Sequence, residues 1–388
     1  MAQVLMIRSH YPDTRLEKEA DALRKSGHSV CFLVWDRGRI SQSRSMNTSE
    51  VLQFRAKVHP DDLRVILYLP LWWLFIIHAL TYRDFDVVHA ADLDTYVPAL
   101  LVAKLKRKKI VYDIYDFYAE MIQFPLLADL SKRCISVIDR CLMEYADIVI
   151  LPDPARIKQV GIRDTRKIVI IANSPKESTI DGIPSRPSDN RFRIFYGGNI
   201  QEDRYLDEVC RIVRNLPGVY LSIHGPCSEQ YSEKLQEISR GSENIQLSFG
   251  WVAHKEILAK TMEADLLFAL YNPRIPNNCY ASPNKLFEAM LCGKPIIVNS
   301  GSTMTSIVRD TECGLIVPFG DPDAFREAVQ QLREDPSLRD RLGTNARAAY
   351  ENLFRWEIME ERLSSTYGDL TYSAGPYRGG DSDNTGRD

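Results

Sequence analysis

The residues with the clearest capacity for chemistry lie in one stretch, 278–300, which reads NCYASPNKLFEAMLCGKPIIVNS. Its pattern predicts a loop, a helix over about 284–291, a C-cap at Gly293 and a buried strand. Pro283 suits the first turn of that helix. Free backbone N–H groups at a helix start can bind an anion. Lys285 falls in the first turn, an electrostatically unfavourable place for a cation unless an anion is bound there. Glu288 follows one turn on, sharing a face with Asn284 and Lys285. A carboxylate there could accept two hydroxyl hydrogen bonds from a ribose. The alternative is a capped core helix with a surface Lys–Glu pair, and the residue types alone leave both open.

Such a site needs a scaffold that sets a helix start beside strand ends. In the N-terminal half, residues 3–9, 29–36, 51–56, 86–90, 109–113, 148–151 and 168–172 read as strands, with helical spacing over 15–26 and 95–106. The second half repeats the scheme, with strands expected at 192–196, 219–224, 245–249, 266–270, 295–298 and 314–318. Many of these runs are apolar on both faces, as in buried parallel sheets. Strand–helix alternation of this kind predicts an α/β protein of two Rossmann-like, doubly wound domains facing a cleft. The first domain is expected over 1–174 and the second over 192–354. A Pro-rich polar linker lies between them at 175–191. A helix over 355–370 closes the chain, and a polar tail, 371–388, is expected to be disordered.

Composition narrows the function. The chain has 388 residues, enough for two cores. Its 49 basic and 52 acidic residues leave a net charge of −3, which gives no reason to expect nucleic acid as a partner. Eight scattered cysteines, with no C-x-x-C pair, read as reduced, buried thiols of a cytoplasmic protein. They form neither a disulfide framework nor a zinc site. The first eight residues, MAQVLMIR, read as a strand, not a signal peptide.

The stretch SPNKLFEAMLCGKPIIV resembles the donor-binding motif of the family 4 glycosyltransferases, which have the GT-B fold. The resemblance implies that Glu288 binds the ribose of a nucleotide-sugar donor, and that Lys285 lies beside the donor phosphates. The family's first glutamate of this motif falls at Tyr280, a departure that touches the sugar contact. Ser282, Pro283 and Asn284 complete the donor loop. Residues 195–206, FYGGNIQEDRYL, are similar to the family's Gly-rich loop, where Gly197, Gly198 and Asn199 would face the pyrophosphate and Arg204 would supply a cation. A second cation usual there is replaced by Gly198. The segment around Trp251 resembles the part near the donor base, and 356–370 resembles the helix that crosses back to the first domain. A further acidic position of the family falls at Ser306.

In the first half, DVVHAADLD and IVYDIYDFYAE look like the family's two strand–loop units at the cleft. They make His89, Asp92, Asp116 and Glu120 acceptor-side candidates, of which Asp116, Asp92 and His89 are the catalytic ones. Helix capping would also explain Asp92 and Asp116, and a His inside a strand is often a core residue. Tyr115 stands where many relatives carry a His. Asp13 and Arg15 resemble a further pattern of the same branch.

One run does not belong to a cleft. Residues 65–82, VILYLPLWWLFIIHALTY, are 18 uncharged residues between Arg64 and Arg83. A spanning helix needs about 20 apolar residues, and this run holds Pro70 and His78. It is apolar all round, so core packing and interfacial contact both remain open. The expectation is a helix that does both, with Trp72 and Trp73 touching the membrane.

The expected activity is therefore sugar transfer from a nucleotide diphosphate to a glycan or lipid-linked acceptor, on the cytoplasmic face of a membrane. The resemblance adds retention of configuration and independence from metals or cofactors. A non-catalytic GT-B scaffold subunit and a GT-B nucleotide-sugar epimerase are the alternatives. A nicotinamide dehydrogenase is disfavoured, because no G-x-G-x-x-G follows the first strand.

Overall fold

The computed structural model describes residues 1–10, 13–37, 51–58, 64–121, 128–180, 182 and 191–372. Seven short apolar runs build the first sheet: β1 (Gln3–Arg8), β2 (Ser29–Asp36), β3 (Val51–Arg55), β4 (Val87–Ala91), β5 (Lys109–Asp113), β6 (Ile148–Leu151) and β7 (Ile168–Ile170). Their order is β3-β2-β1-β4-β5-β6-β7, and all pairs are parallel. The second sheet holds β8 (Phe192–Gly197), β9 (Val219–Gly225), β10 (Ile245–Phe249), β11 (Leu266–Ala269), β12 (Ile296–Asn299) and β13 (Gly314–Val317). Its order is β10-β9-β8-β11-β12-β13, again all parallel. Two doubly wound domains are thus present, as the alternation predicts.

Six helices accompany the first sheet: α1 (Thr14–Lys25), α2 (Arg64–Tyr82), α3 (Leu93–Leu105), α4 (Tyr118–Met121), α5 (Ala128–Met143) and α6 (Arg156–Val160). The second domain adds α7 (Leu206–Arg214), α8 (Glu229–Ser239), α9 (His254–Glu263), α10 (Pro276–Cys279), α11 (Asn284–Leu291), α12 (Thr303–Thr311), α13 (Pro322–Glu334) and α14 (Pro336–Ala349). The last helix, α15 (Trp356–Tyr372), packs on α1 of the first domain.

The alternation of side chains along β1 divides the first domain's core. Val4 and Met6 face α1 and α15, in a cluster that continues into the second domain through Leu286, Phe287 and Trp356. Leu5 and Ile7 face the other way, into a core with α2, α3 and α5. Three helices therefore lie side by side on that second face. Tyr96 of α3 donates its hydroxyl to the Leu142 carbonyl of α5 at 2.9 Å, tying two of them together.

Each strand order reverses once, between β1 and β4 and between β8 and β11. Connections leave such a point in opposite directions, so a crevice opens at the strand C-terminal ends. The residues that close β1, β4, β8 and β11 are thus the ones placed for chemistry.

Several expectations need correction. Pro283 is the N-cap of α11 and stands outside the helix. The expected closing helix runs on to Tyr372, so 371 and 372 are helical and only the later part of the expected tail lies outside the described residues. Glu177–Ile180 within the linker forms a 3-10 turn, while 181 and 183–190 lie outside the described residues. The thiols are all free, but Cys134 and Cys141 are exposed and only Cys210 and Cys313 are buried. Both tryptophans of α2 point inward, while Tyr82 at its end is exposed. Trp72 is fully buried against Trp35 and Phe54, and Trp73 donates its indole N–H to the Asp94 carbonyl at 2.7 Å. Leu67, Leu71 and Leu74 form the exposed stripe instead.

Candidate active site

In the second domain, β8 ends at Gly197 and turns through Gly198, whose φ of +124° is a conformation side chains disfavour. A Cβ built on Gly198 would stand 3.7 Å from Lys285 Nζ, so the lysine reaches directly over this turn. Lys285 comes from the first turn of α11 and is buried. Its Nζ lies 3.2 Å from the Tyr271 hydroxyl and 3.9 Å from the Tyr196 ring centroid. Arg204 stacks on the ring of the same residue, with Cζ 3.8 Å from the Tyr271 centroid. Nη1 of Arg204 donates to Asn278 Oδ1 at 2.8 Å, and Asn278 in turn donates to Asp203 Oδ2 at 2.8 Å. Two cations of the predicted donor set therefore converge at the β8–β11 reversal, held by rings and amides. The surface Lys–Glu pair is not formed.

Glu288 sits one turn further along α11 and is 4% exposed. Its Oε1 lies 2.9 Å from His254 Nε2, at the first residue of α9. Both line a small cavity between the domains with Thr14, Arg15, Lys18, Asn173, Pro175 and Asn284. Burial and the charge on Arg15 push the Lys18 ammonium down to about 7. Among the other predicted donor residues, Trp251 is 72% exposed beside α9. Asn199 is exposed and lends its carbonyl to the Tyr196 hydroxyl. Ser282 is buried with an unpartnered hydroxyl, and Tyr280 is half-buried after α10.

The first domain has its own crevice at the β1–β4 reversal. Arg8 closes β1, and its Nη1 meets Asp92 Oδ2 at 2.6 Å. Asp92 also accepts the Tyr115 N–H at 3.1 Å. It occupies the N-cap position of α3 yet makes no side-chain cap bond, so capping does not explain it. Its φ of +65° is a strained conformation for a non-glycine residue, worth roughly 1–3 kcal/mol. Burial raises its pKa to about 6 against the pull of Arg8. The Tyr115 ring lies between the Arg8 and Arg15 guanidiniums, at 3.7 and 4.6 Å. Asp116 stands half exposed at the rim, paired with Arg156 at 2.7 Å. Glu120 accepts from Gln159, whose amide also reaches Asn277 of the other domain at 3.1 Å.

His89 is the candidate that the structure moves away from the cleft. It is fully buried, with Nδ1 2.7 Å from the Tyr367 hydroxyl of α15 and Nε2 3.4 Å from Asp113 Oδ2. The closing helix packs over the ring through Tyr367. Glu19, His89 and Asp113 bring possible metal-ligating atoms within 4.8 Å of one another. The Arg15 guanidinium already supplies the cation there, bonding Glu19 at 3.0 Å and Asp113 at 2.7 Å.

Residues 182–349 match the family model for glycosyl transferases group 1. The fold itself is close to that of a sucrose-phosphate synthase from Thermosynechococcus elongatus, with a TM-score of 0.78 over 96% of this chain and 100% of that one, at 15% identity. The chain has the two-domain GT-B fold of such neighbours. A second neighbour in fold is HepE from Anabaena in complex with UDP-glucose, with a TM-score of 0.72, 16% identity and coverage of 95% and 100%. In sequence, 95 residues are 41% identical to the D-rhamnosyltransferase WbpZ of Pseudomonas aeruginosa. That match spans 21% of this chain and 25% of WbpZ.

Sequence reasoning missed Arg8, His254, Tyr271 and Asn278. A charge closing an otherwise apolar strand was a signal for Arg8. His254, Tyr271 and Asn278 carried none, because their partners lie on other elements.

Proposed function

We propose that the protein moves a sugar from a nucleotide-diphosphate donor to an acceptor carried on a lipid, with retention and without a metal. The carrying observation is the convergence of Lys285 and Arg204 on Tyr271, one helical turn from Glu288. As the bond from the anomeric carbon to the diphosphate breaks, negative charge gathers on the departing group. Lys285, Arg204 and the free N–H groups at the start of α11 are placed to stabilise it. Glu288 would hold the ribose and Trp251 would cover the base. Tyr280, in place of a carboxylate, gives the sugar a different contact. Domain closure would bring Asp92 and Asp116 over the acceptor and exclude water.

The lipid carrier is supported by the outer face of α2, α3 and α5. Ten of the fourteen exposed large hydrophobic side chains among the described residues lie there, four on α2, two on α3 and four on or just after α5. Lys104, Arg133 and Arg140 are exposed on the same helices, and no described side chain on them exposes a carboxylate. Apolar stripes with cations and no anions suit an anionic bilayer surface. No described helix is long and apolar enough to cross a membrane, so the contact would be interfacial.

The test is transfer of labelled sugar from a panel of UDP-, GDP- and ADP-sugars into a membrane lipid extract. Transfer from one donor, lost in folded Glu288→Ala and Lys285→Ala variants, is expected. Donor binding with no transfer to any acceptor would instead favour a non-catalytic scaffold.

A further inference from the structure

We infer that His254 is the positioning residue for Glu288, holding the carboxylate in the orientation that reads the donor's ribose hydroxyls. The inference rests on the reading of Glu288 as the ribose contact and adds a residue to it.

Glu288 has a specific problem. It is 4% exposed, and a buried carboxylate needs a partner. The two nearby donor-side cations are committed elsewhere, Lys285 to Tyr271 and Arg204 to Asn278. His254 fills the need at 2.9 Å from Oε1. Its position is dictated by the chain: β10 ends at Phe249, a short loop through Gly250 and Trp251 follows, and α9 begins at His254 itself. One imidazole thus links the loop beside the expected base to the carboxylate expected at the ribose.

The chemistry of the pair fits a positioning role. A glutamate has three side-chain torsions to fix, and one hydrogen bond to Oε1 sets the carboxylate plane before a ligand arrives. A carboxylate offers about four lone-pair sites. His254 occupies one, leaving the rest for a vicinal diol. Across the cavity stand Arg15 and Lys18 of the first domain.

The experiment is calorimetric titration of the full chain with UDP and GDP, each compared with its 2′,3′-dideoxy counterpart. The wild type is expected to prefer the ribose form of whichever nucleotide binds. Glu288→Ala should abolish that preference. His254→Ala should weaken the ribose form about tenfold, the loss of one charge-assisted hydrogen bond. The dideoxy form should bind it as it binds wild type, and His254→Gln, which keeps an N–H donor, should restore most of the preference. A wild type with no preference overturns the Glu288 reading and this inference with it. A full preference retained in His254→Ala overturns the inference alone. So does an equal loss of ribose and dideoxy forms in His254→Ala, since that marks a general structural role.

Discussion

Arg204 lies over the face of Tyr271, with Cζ 3.8 Å from the ring centroid. Lys285 holds the hydroxyl of the same tyrosine at 3.2 Å. One buried side chain therefore spaces two cations that would otherwise repel each other and drift apart.

The first prediction follows from that spacing. Tyr271→Phe keeps the stack on Arg204 and loses the hydroxyl, so binding of whichever nucleoside diphosphate the chain takes should weaken by about 1 kcal/mol. Tyr271→Ala loses both and should weaken it by roughly 2 kcal/mol or more. Titration calorimetry orders the three proteins. Equal affinity in all of them would show that the ring does not set the cations.

The inward and outward faces of α2 should respond oppositely to substitution. Leu67→Ser, Leu71→Ser and Leu74→Ser together should leave the urea midpoint nearly unchanged. They should lower sedimentation with phosphatidylglycerol vesicles by more than tenfold, since each leucine is worth about 1.5–3 kcal/mol when fully buried. Trp72→Ala should instead cost roughly 3–5 kcal/mol of stability. Unchanged sedimentation of the folded triple variant would remove the docking face.

Asp139 predicts a pH dependence. It is fully buried, its Oδ2 has no partner, and burial pushes its pKa up to about 7. An unfolded aspartate titrates near 4. Between those values the folded chain keeps a proton that the unfolded chain has lost. Its contribution to stability is thus full below about pH 4 and is lost as the pH rises through about 7, at up to about 1.4 kcal/mol per unit of pH. Asp92, raised to about 6, adds a term of the same sign. Urea midpoints at pH 5 and pH 8 should therefore converge in Asp139→Asn relative to wild type. Identical pH slopes in the two proteins would rule out a protonated Asp139.

The buried His89–Tyr367 contact should matter for the closing helix and not for the donor. Tyr367→Phe leaves His89 Nδ1 without its partner and should cost about 1–3 kcal/mol. Limited proteolysis should release α15 sooner, while affinity for the donor nucleotide stays at the wild-type value. A change in that affinity would place His89 in the site after all.

The strands β2, β5, β6 and β10 fall where the sequence places them, because apolar runs ended by turn residues are local signals. Helix α11 does too, since its loop, capping proline and following Gly293 lie within a few residues of one another. The face of α2 was not legible. A helix apolar all round carries no phase, and only the bulk of Trp35 and Phe54 on β2 and β3 decides that Trp72 points in while Leu67, Leu71 and Leu74 point out. The partner of Asp92 was equally hidden. Capping is a local explanation, whereas the contact it makes comes from Arg8, 84 residues earlier. Glu288 was readable from its motif, but His254 reaches it through the packing of α9 against α11.

The chain passes between the domains twice, once through the linker and again just before α15. The two passages are pinned together where the Tyr350 hydroxyl donates to the Pro175 carbonyl at 2.9 Å. Two crossings joined at one contact would act as a hinge, so closure of the cleft would be a swing about that contact. The same sequence feature that returns the C-terminus to the first domain thus ties the two halves at a second point beside the linker.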